Sequence, residues 1–407
     1  MENKTVFVIG AGSTAYLDIP TSERQDELVY GLKDCEDRDL FKLSRILDGT
    51  FGTENYRIND IYNIIDSNLL LHNALQYEED KIEYYRLEEC KRKLITYIFK
   101  HILEKHKSKD DRKYTKLVNF YKELAEREVK EKFNSRLNFQ NRQFFVSSYS
   151  IINFNWDLYS LLPIIEANGI VNDSNNLCFA TGRNPKLRIY TDFNCEYASK
   201  NGNDDFWYPF TESAACNVNS TEYDTTRKVV LLKCFYPHGA MNLFKCPACA
   251  KHSYYLGDLH IDSVIDKINY DDNDEIYNCP YCENKIYSKD FDVLAQSNFK
   301  TRNSFLEEIR LSMMQELRSA KTLVFIGYSM PSDDVDYITM FKSLNCSIDK
   351  IYTILYDDKS QNRFVSYSEL NDKSKEKVKN FHNVFGDKVL YNMAGVPMAF
   401  DEVLKIV

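Results

Sequence analysis

No stretch of the 407 residues approaches the roughly twenty uninterrupted apolar residues that a membrane-spanning helix requires, so a soluble protein is expected. The start, Met1-Glu2-Asn3-Lys4 running straight into Val6-Phe7-Val8-Ile9, predicts no secretory leader, because a Gly-rich turn follows where the apolar core of a leader would have to continue. Basic residues are not in excess either: 52 Lys and Arg against 61 Asp and Glu leave a formal net charge of −9. Affinity for a phosphate backbone needs clustered cations, so no direct nucleic-acid binding is expected, and nucleic acid would have to arrive through a partner. There is no internal repeat and no low-complexity linker. Seven of the eleven cysteines (Cys35, Cys90, Cys178, Cys195, Cys216, Cys234 and Cys346) lack the spacing of a disulfide framework. They read as reduced intracellular thiols, which points to the cytoplasm.

What is present is an ordinary globular composition, 43% hydrophobic and 28% charged, enriched in aromatics by 29 Tyr and 25 Phe. The length exceeds what one hydrophobic core usually organises, so one large domain with insertions, or two domains, is expected. The remaining four cysteines form two identical knuckles, Cys246-Pro247-Ala248-Cys249 and Cys279-Pro280-Tyr281-Cys282. Tetrahedral Zn²⁺ takes four thiolates, and two Cys-x-x-Cys loops a few tens of residues apart deliver them. The alternative is a pair of disulfides or unpaired core thiols. Pro inside each knuckle favours the tight turn that aims both sulfurs at one point, and hence zinc.

The apolar run Val6 to Ile9 ends in Gly10-Ala11-Gly12-Ser13-Thr14-Ala15, the pattern of a buried parallel strand turning into a helix over a phosphate. A hydride-transferring dinucleotide site should add a second strand ending in an acid about twenty residues on. Asp34-Cys35-Glu36-Asp37 has the acids, but Tyr30 to Lys33 does not look like a buried strand, which disfavours that class. From Ile58 to Lys107 and from Tyr114 to Lys132, apolar residues recur at helical spacing among many charges. Strands are predicted at Tyr149 to Asn153, delivering Asn155 and Asp157, and at Val229 to Phe235, delivering His238. Others follow at Thr322 to Ile326 and Ile351 to Tyr356, with Thr301 to Ala320 helical. Strand tips are where open α/β sheets bind ligands. The fold class is therefore α/β, a Rossmann-like, mostly parallel sheet with a helical insertion and a small zinc-binding module. Its predicted organisation is a first part of the sheet domain over 1–52, the insertion over 53–140, the sheet continued over 141–242, the zinc module over 243–290, and the remainder of the sheet over 291–407. The polar stretch 172–224 carries no pattern. His72, His101, His106, His252 and His260 have no matched partners and read as surface or structural. Asn155 and Asp157 also suit the cap of a helix starting near Leu158.

Taken in order, these features resemble the sirtuin-like superfamily. Gly10-Ala11-Gly12-Ser13-Thr14 with Ile19-Pro20 looks like its glycine motif, and Asn153-Phe154-Asn155-Trp156-Asp157 resembles its Thr-Gln-Asn-Ile-Asp segment. His238-Gly239 looks like its catalytic His-Gly, the four knuckle cysteines match its zinc module, and Gly327-Tyr328-Ser329 resembles its Gly-Thr-Ser motif. The resemblance implies that NAD lies across the carboxyl edge of the sheet and reacts at the bond between nicotinamide and ribose. Asn155 and His238 would be the catalytic pair, with Asn155 orienting the ribose or the attacking water and His238 as base. Asp157 would seat the nicotinamide end, Thr14 and Ser329 would bind phosphate, and Gly10, Ala11, Gly12 and Gly327 would form the close wall. Cys246, Cys249, Cys279 and Cys282 would hold Zn²⁺.

The sequence also departs from the protein-deacylating members. Asp18-Ile19-Pro20-Thr21-Ser22-Glu23 lacks their aromatic and following Arg and puts Asp18 where a Gly is usual. The turn Gly327-Tyr328-Ser329-Met330-Pro331 differs, and their later Asn is not evident around Tyr356-Asp357-Asp358. These departures, with the insertion, resemble the bacterial defence-associated branch, which hydrolyses NAD to nicotinamide and ADP-ribose. That resemblance implies an antiviral role by NAD depletion, with low basal turnover and an activating or assembling partner such as a HerA-type ATPase or a short Argonaute; a homo-oligomer is expected because the long helical insertion can supply an apolar face. An NAD-dependent protein-lysine deacylase and a non-catalytic NAD- or ADP-ribose-sensing subunit stand as alternatives.

Overall fold

The structure, a computed structural model, describes residues 4–107, 110–174, 186–198, 206–207, 212–220, 227–258, 260–268, 274–293, 304–332, 334–357 and 361–407. Seven parallel strands form its centre: β1 (Lys4–Ile9), β2 (Tyr149–Asn153), β3 (Lys186–Asp192), β4 (Arg227–Phe235), β5 (Ala320–Ile326), β6 (Lys350–Ile354) and β7 (Val389–Asn392), in the order β7-β6-β5-β1-β2-β4-β3. Parallel strands covered on both faces read as continuous apolar runs, and β1 is buried along its whole length.

Register puts the strand tips level. Ile9 pairs with Asn153 on one side and Ile326 on the other, and Ile326 pairs with Ile354. The chain leaves β1 toward β2 on one side and returns as β5 on the other, so the carboxyl ends of β1 and β5 flank the topological switch point.

Between β1 and β2 lie α1 (Ser22–Tyr30), α2 (Arg38–Phe51), α3 (Ile58–Leu70), α4 (Tyr84–Lys107) and α5 (Asp111–Asn134). The spacing predicts helices through this region, and the structure adds a small hairpin, Leu75–Tyr77 against Asp80–Ile82, that interrupts them. The insertion sits firmly on the sheet. Glu128 and Lys132 of α5 are both buried; Glu128 accepts from the Ser148 backbone N–H at 3.1 Å and from its hydroxyl, and Lys132 donates to the Gln143 carbonyl. Among the described residues no helix is long and apolar enough to cross a membrane.

A second, five-stranded sheet runs Phe291–Val293, Gly239–Lys245, His252–Tyr255, Glu196–Ala198, Phe206–Trp207 in spatial order. Its strand Gly239–Lys245 starts immediately after His238. The stretch 172–224, unpatterned in sequence, contributes β3 to the main sheet and two strands here, one of them, Phe206–Trp207, at the edge; its parts 175–185, 199–205, 208–211 and 221–224 lie outside the described residues, as does Cys178.

Two sequence expectations need correction. β1 does not pass directly into a helix: Gly10 leads into two 3₁₀ turns, Ala11–Ser13 and Ala15–Leu17, and α1 begins only at Ser22, so the glycine turn does not open α1. His252 does have a matched partner, its Nε2 lying 2.6 Å from Asp292 Oδ2 while its ring stacks on Phe305 at 4.4 Å. It pins the second sheet to the segment that follows it.

The glycine turn packs backbone on backbone. Gly12 N–H donates to the Gly327 carbonyl at 2.8 Å, and a Cβ on Gly327, whose φ is +65°, would stand 2.0 Å from Ser13 N. Gly327→Ala is expected to destabilise the protein by about 1–3 kcal/mol through backbone strain and clash. Gly169→Ala, in helix α6 (Leu162–Ser174) with nothing within 4 Å of the added methyl, is expected to stabilise it by about 0.5–1 kcal/mol. Chemical denaturation of the two variants measures both signs.

Candidate functional site

A cleft opens at the carboxyl edge of the sheet with about 530 Å³ of free space, open solvent at its mouth included. Its wall brings together Ala11 after β1, Phe154, Asn155, Trp156 and Asp157 after β2, and His238 after β4. Ile19, Pro20 and Gln25, with Ile58, Tyr62 and Ile102 of the insertion, close it. Asn155 and His238, far apart in sequence, thus share one wall with Asp157.

Each polar side chain is held by local geometry. Asn153 ends β2 and acts twice: its Nδ2 donates to the Ser160 carbonyl at 2.7 Å and its Oδ1 accepts from Asn155 N–H at 2.9 Å, folding the chain over the strand tip. Asn155, 5% exposed, donates from Nδ2 to Ser13 Oγ at 3.3 Å. Asp157 caps the 3₁₀ turn Leu158–Ser160, accepting from Ser160 N–H at 2.9 Å, and accepts the Thr14 hydroxyl at 3.1 Å. Asn155 makes no such cap bond. Burial pushes the Asp157 carboxyl up to about 6, against the hydrogen bonds from Thr14 and Ser160 that favour its ionised form.

His238 is 1% exposed. Its ring lies edge-on to Phe154 at 5.1 Å and to Tyr337 of helix α8 (Val335–Leu344) at 5.5 Å. Trp156 ties the two loops together, donating from Nε1 to the His238 carbonyl at 3.1 Å and accepting Met241 N–H at 2.8 Å. Gly239 follows at φ +72° because the strand Phe291–Val293 passes so close that a Cβ would stand 2.5 Å from the Asp292 carbonyl. His238 Nε2 lies 3.6 Å from Asp334 Oδ1, and Asp334 Oδ2 accepts the Tyr328 hydroxyl at 2.8 Å. Asp334 stands at the N-cap of α8 yet makes no cap hydrogen bond. Its carboxylate faces His238 and Tyr328 instead.

Other residues singled out in sequence stand off the wall. Gly10, Gly12 and Gly327 form the packed floor behind it, and Thr14 is buried, reaching the cleft only through Asp157. Ser329 is exposed on the turn after β5. Sequence reasoning did not single out Asp334, which looks like an ordinary helix cap, or Tyr62, which looks like one more apolar position of a helix. Asp18, standing where a Gly was noted as usual, adopts φ +64°, the left-handed region in which Gly is at ease and Asp is tolerated.

The four knuckle sulfurs lie within 4.8 Å of one another. Cys246 and Cys282 Sγ are 3.6 Å apart, Cys249 and Cys279 Sγ 3.7 Å. That is far beyond a disulfide bond and close to the edge of a tetrahedron with Zn–S bonds of ~2.3 Å, about 3.8 Å. The knuckles are built alike: Ala250 N–H returns to the Cys246 carbonyl and Glu283 N–H to the Cys279 carbonyl, both at 2.9 Å, and Ala250 and Glu283 both take positive φ. The donor set fits zinc, with all four ligands from protein and no open position, a structural arrangement.

No family model and no curated protein sequence matches the chain. Among solved structures it is similar to a Sir2 homologue in complex with NAD, at 12% identity over 100% of this chain and 90% of that one, with a TM-score of 0.37. It is also similar to a Sir2-homologue variant in complex with 2′-O-acetyl-ADP-ribose, at 11% identity over 99% and 91% with a TM-score of 0.35. A third is a Sir2 enzyme whose structure addresses mechanism and regulation, at 11% identity over 100% and 94% with a TM-score of 0.36. At such TM-scores the likeness carries no argument, and a functional reading rests on the cleft.

Two measurements follow from this geometry. Elemental analysis should find one zinc per chain, and Cys279→Ser should lose it together with a large part of the thermal stability; a native mass showing disulfides among the four cysteines would overturn the assignment. Because the folded pKa of Asp157 is raised, its protonated form is favoured in the fold. Its contribution to stability is therefore full below about pH 4 and lost as pH rises through about 6. Asp157→Asn removes that dependence, so between pH 4 and pH 7 the variant should gain about 3 kcal/mol relative to the unaltered protein. A difference between the two that stays constant across this range would show the carboxyl to be unshifted.

Proposed function

We propose that the protein hydrolyses NAD⁺ at the bond between nicotinamide and ribose, releasing nicotinamide and ADP-ribose. The observation that carries this reading is the convergence of buried Asn155, Asp157 and His238 on one cleft at the switch point of the sheet. Departure of nicotinamide takes the bonding electron pair with it, leaving the ring neutral and an oxocarbenium-like ribose behind. A site for this step needs fixed polar groups around developing positive charge and a nearby proton acceptor. Asp157 supplies negative charge, Asn155 orients the water or a ribose hydroxyl, and His238 accepts the proton as the water oxygen bonds to the anomeric carbon. A protonated His238 then has the Asp334 carboxylate, 3.6 Å away, as its counter-charge. Distances of that length are ion-pair contacts rather than hydrogen bonds, and they matter most when the imidazole is charged.

In this reading Zn²⁺, held by Cys246, Cys249, Cys279 and Cys282, stabilises the chain that follows the strand Gly239–Lys245 and takes no part in the chemistry. A toxic role in antiviral defence and an activating or assembling protein partner follow from the resemblance of the motifs, and self-association from the apolar face the insertion can supply; all belong to the same proposal. A cell tolerates an NAD hydrolase only when its activity is held back until needed.

The test is a timed assay of nicotinamide release from NAD alone by purified protein. Asn155→Ala and His238→Ala should each lower the rate by about 100-fold or more. Release that occurs only with an acetylated peptide, with formation of acetylated ADP-ribose, would reassign the protein as a deacylase. Asp334→Asn should move the acid limb of the pH–rate profile to lower pH. Asp334 and the rings of Tyr337 and Phe154 stand beside His238, with Asp157 on the same cleft. Removing the neighbouring negative charge lowers the pKa of the imidazole, so the base stays unprotonated to lower pH. An unmoved profile would deny Asp334 that role.

A further inference from the structure

The sheet alone does not finish the cleft: Ile58 and Tyr62 of α3 and Ile102 of α4 form part of its wall. Tyr62 is 1% exposed, and its hydroxyl has no hydrogen-bond partner among the described residues. A buried hydroxyl left unpaired costs stability, and Phe would fill the same apolar wall without that cost. Burial, with Asp66 nearby on the same helix, holds the phenol far above its ordinary pKa, so the group is protonated and able to donate throughout the neutral range. What it lacks is an acceptor.

We propose that Tyr62 donates a hydrogen bond to an acceptor oxygen of the bound dinucleotide, so that the helical insertion completes the binding site. This rests on the NAD reading of the cleft. The acceptor chemistry is common to the nicotinamide carboxamide and to ribose oxygens, and the two can be told apart because each is carried by a separate product. Tyr391 on β7 supplies the control: its hydroxyl is also unpartnered among the described residues, but it does not line the cleft.

The experiment titrates nicotinamide and ADP-ribose separately, by calorimetry, into the full chain and into Tyr62→Phe and Tyr391→Phe. Neither ligand turns over. Tyr62→Phe should bind one of the two about tenfold more weakly, nicotinamide if the carboxamide is the acceptor and ADP-ribose if a ribose oxygen is. Its melting temperature without ligand should equal or exceed that of the unaltered protein. Tyr391→Phe should change neither affinity. Unchanged affinity for both ligands in Tyr62→Phe overturns the inference and leaves the NAD reading standing, and so does a lower melting temperature without ligand, which would mean that the hydroxyl serves the fold. If the unaltered protein binds neither product and releases no nicotinamide from NAD, the NAD reading fails and takes this inference with it.

Discussion

The contact on which the rest of the site depends is between two stretches of bare backbone. β1 and β5 lie side by side with their tips level, and the turns leaving them occupy nearly the same space, held by Gly12 N–H on the Gly327 carbonyl at 2.8 Å. Cβ atoms at Gly10, Gly12 or Gly327 would each stand within 3 Å of the opposite turn. That closeness sets where Ser13 and Thr14 fall. Ser13 then receives the Asn155 amide, and Thr14 gives its hydroxyl to Asp157. The glycines act on the cleft at second hand, by fixing the residues that hold its polar groups.

The two modules added to the sheet meet around Trp156. Phe99 of α4 is fully buried between Trp156, at 5.6 Å, and Phe291 of the second sheet, at 5.3 Å. Burying such a ring stabilises by roughly 1.5–3 kcal/mol, and here the same burial joins insertion, site loop and second sheet. Trp156 in turn holds the His238 carbonyl. The insertion is therefore mechanically continuous with the histidine, and the first cysteine knuckle follows the far end of the strand Gly239–Lys245 that His238 introduces.

Much of this was legible in the sequence because strand tips have strong signals. An apolar run followed by Gly-x-Gly, or by Asn and Asp, marks the place where a buried strand surfaces, and the seven-stranded parallel sheet puts those tips on one edge. The knuckles were legible for a related reason, since thiolates at that spacing have few other uses. Other features were hidden by residues with two plausible roles. Asp334 has the position of a helix cap and does not cap. Tyr62 has helical periodicity, and nothing in the periodicity tells an apolar ring from a phenol with an unpaired hydroxyl. β3 was hidden in the polar stretch 172–224, and the extra hairpin by its brevity, three residues a side. The passage from β1 into a helix was misread because Gly-x-Gly suits both a helix start and, as here, a crossing of two turns.

Two carboxylates bear on why the cleft is built as it is. For the fold alone, an amide at 157 would serve: its oxygen would accept from Ser160 N–H, and Thr14 would accept from its nitrogen instead of donating. The chain keeps an acid there although burial opposes its charge. Asp334 likewise forgoes the helix N–H groups that would satisfy it and turns toward a buried imidazole and a phenol. An amide or a hydroxyl could meet the hydrogen-bonding needs at either place, but only a carboxylate brings negative charge. Both charges sit beside the same cleft, one on its wall and one behind the histidine. The NAD⁺ chemistry proposed above calls for negative charge in those two places, where positive charge would form first on a ribose and then on an imidazole.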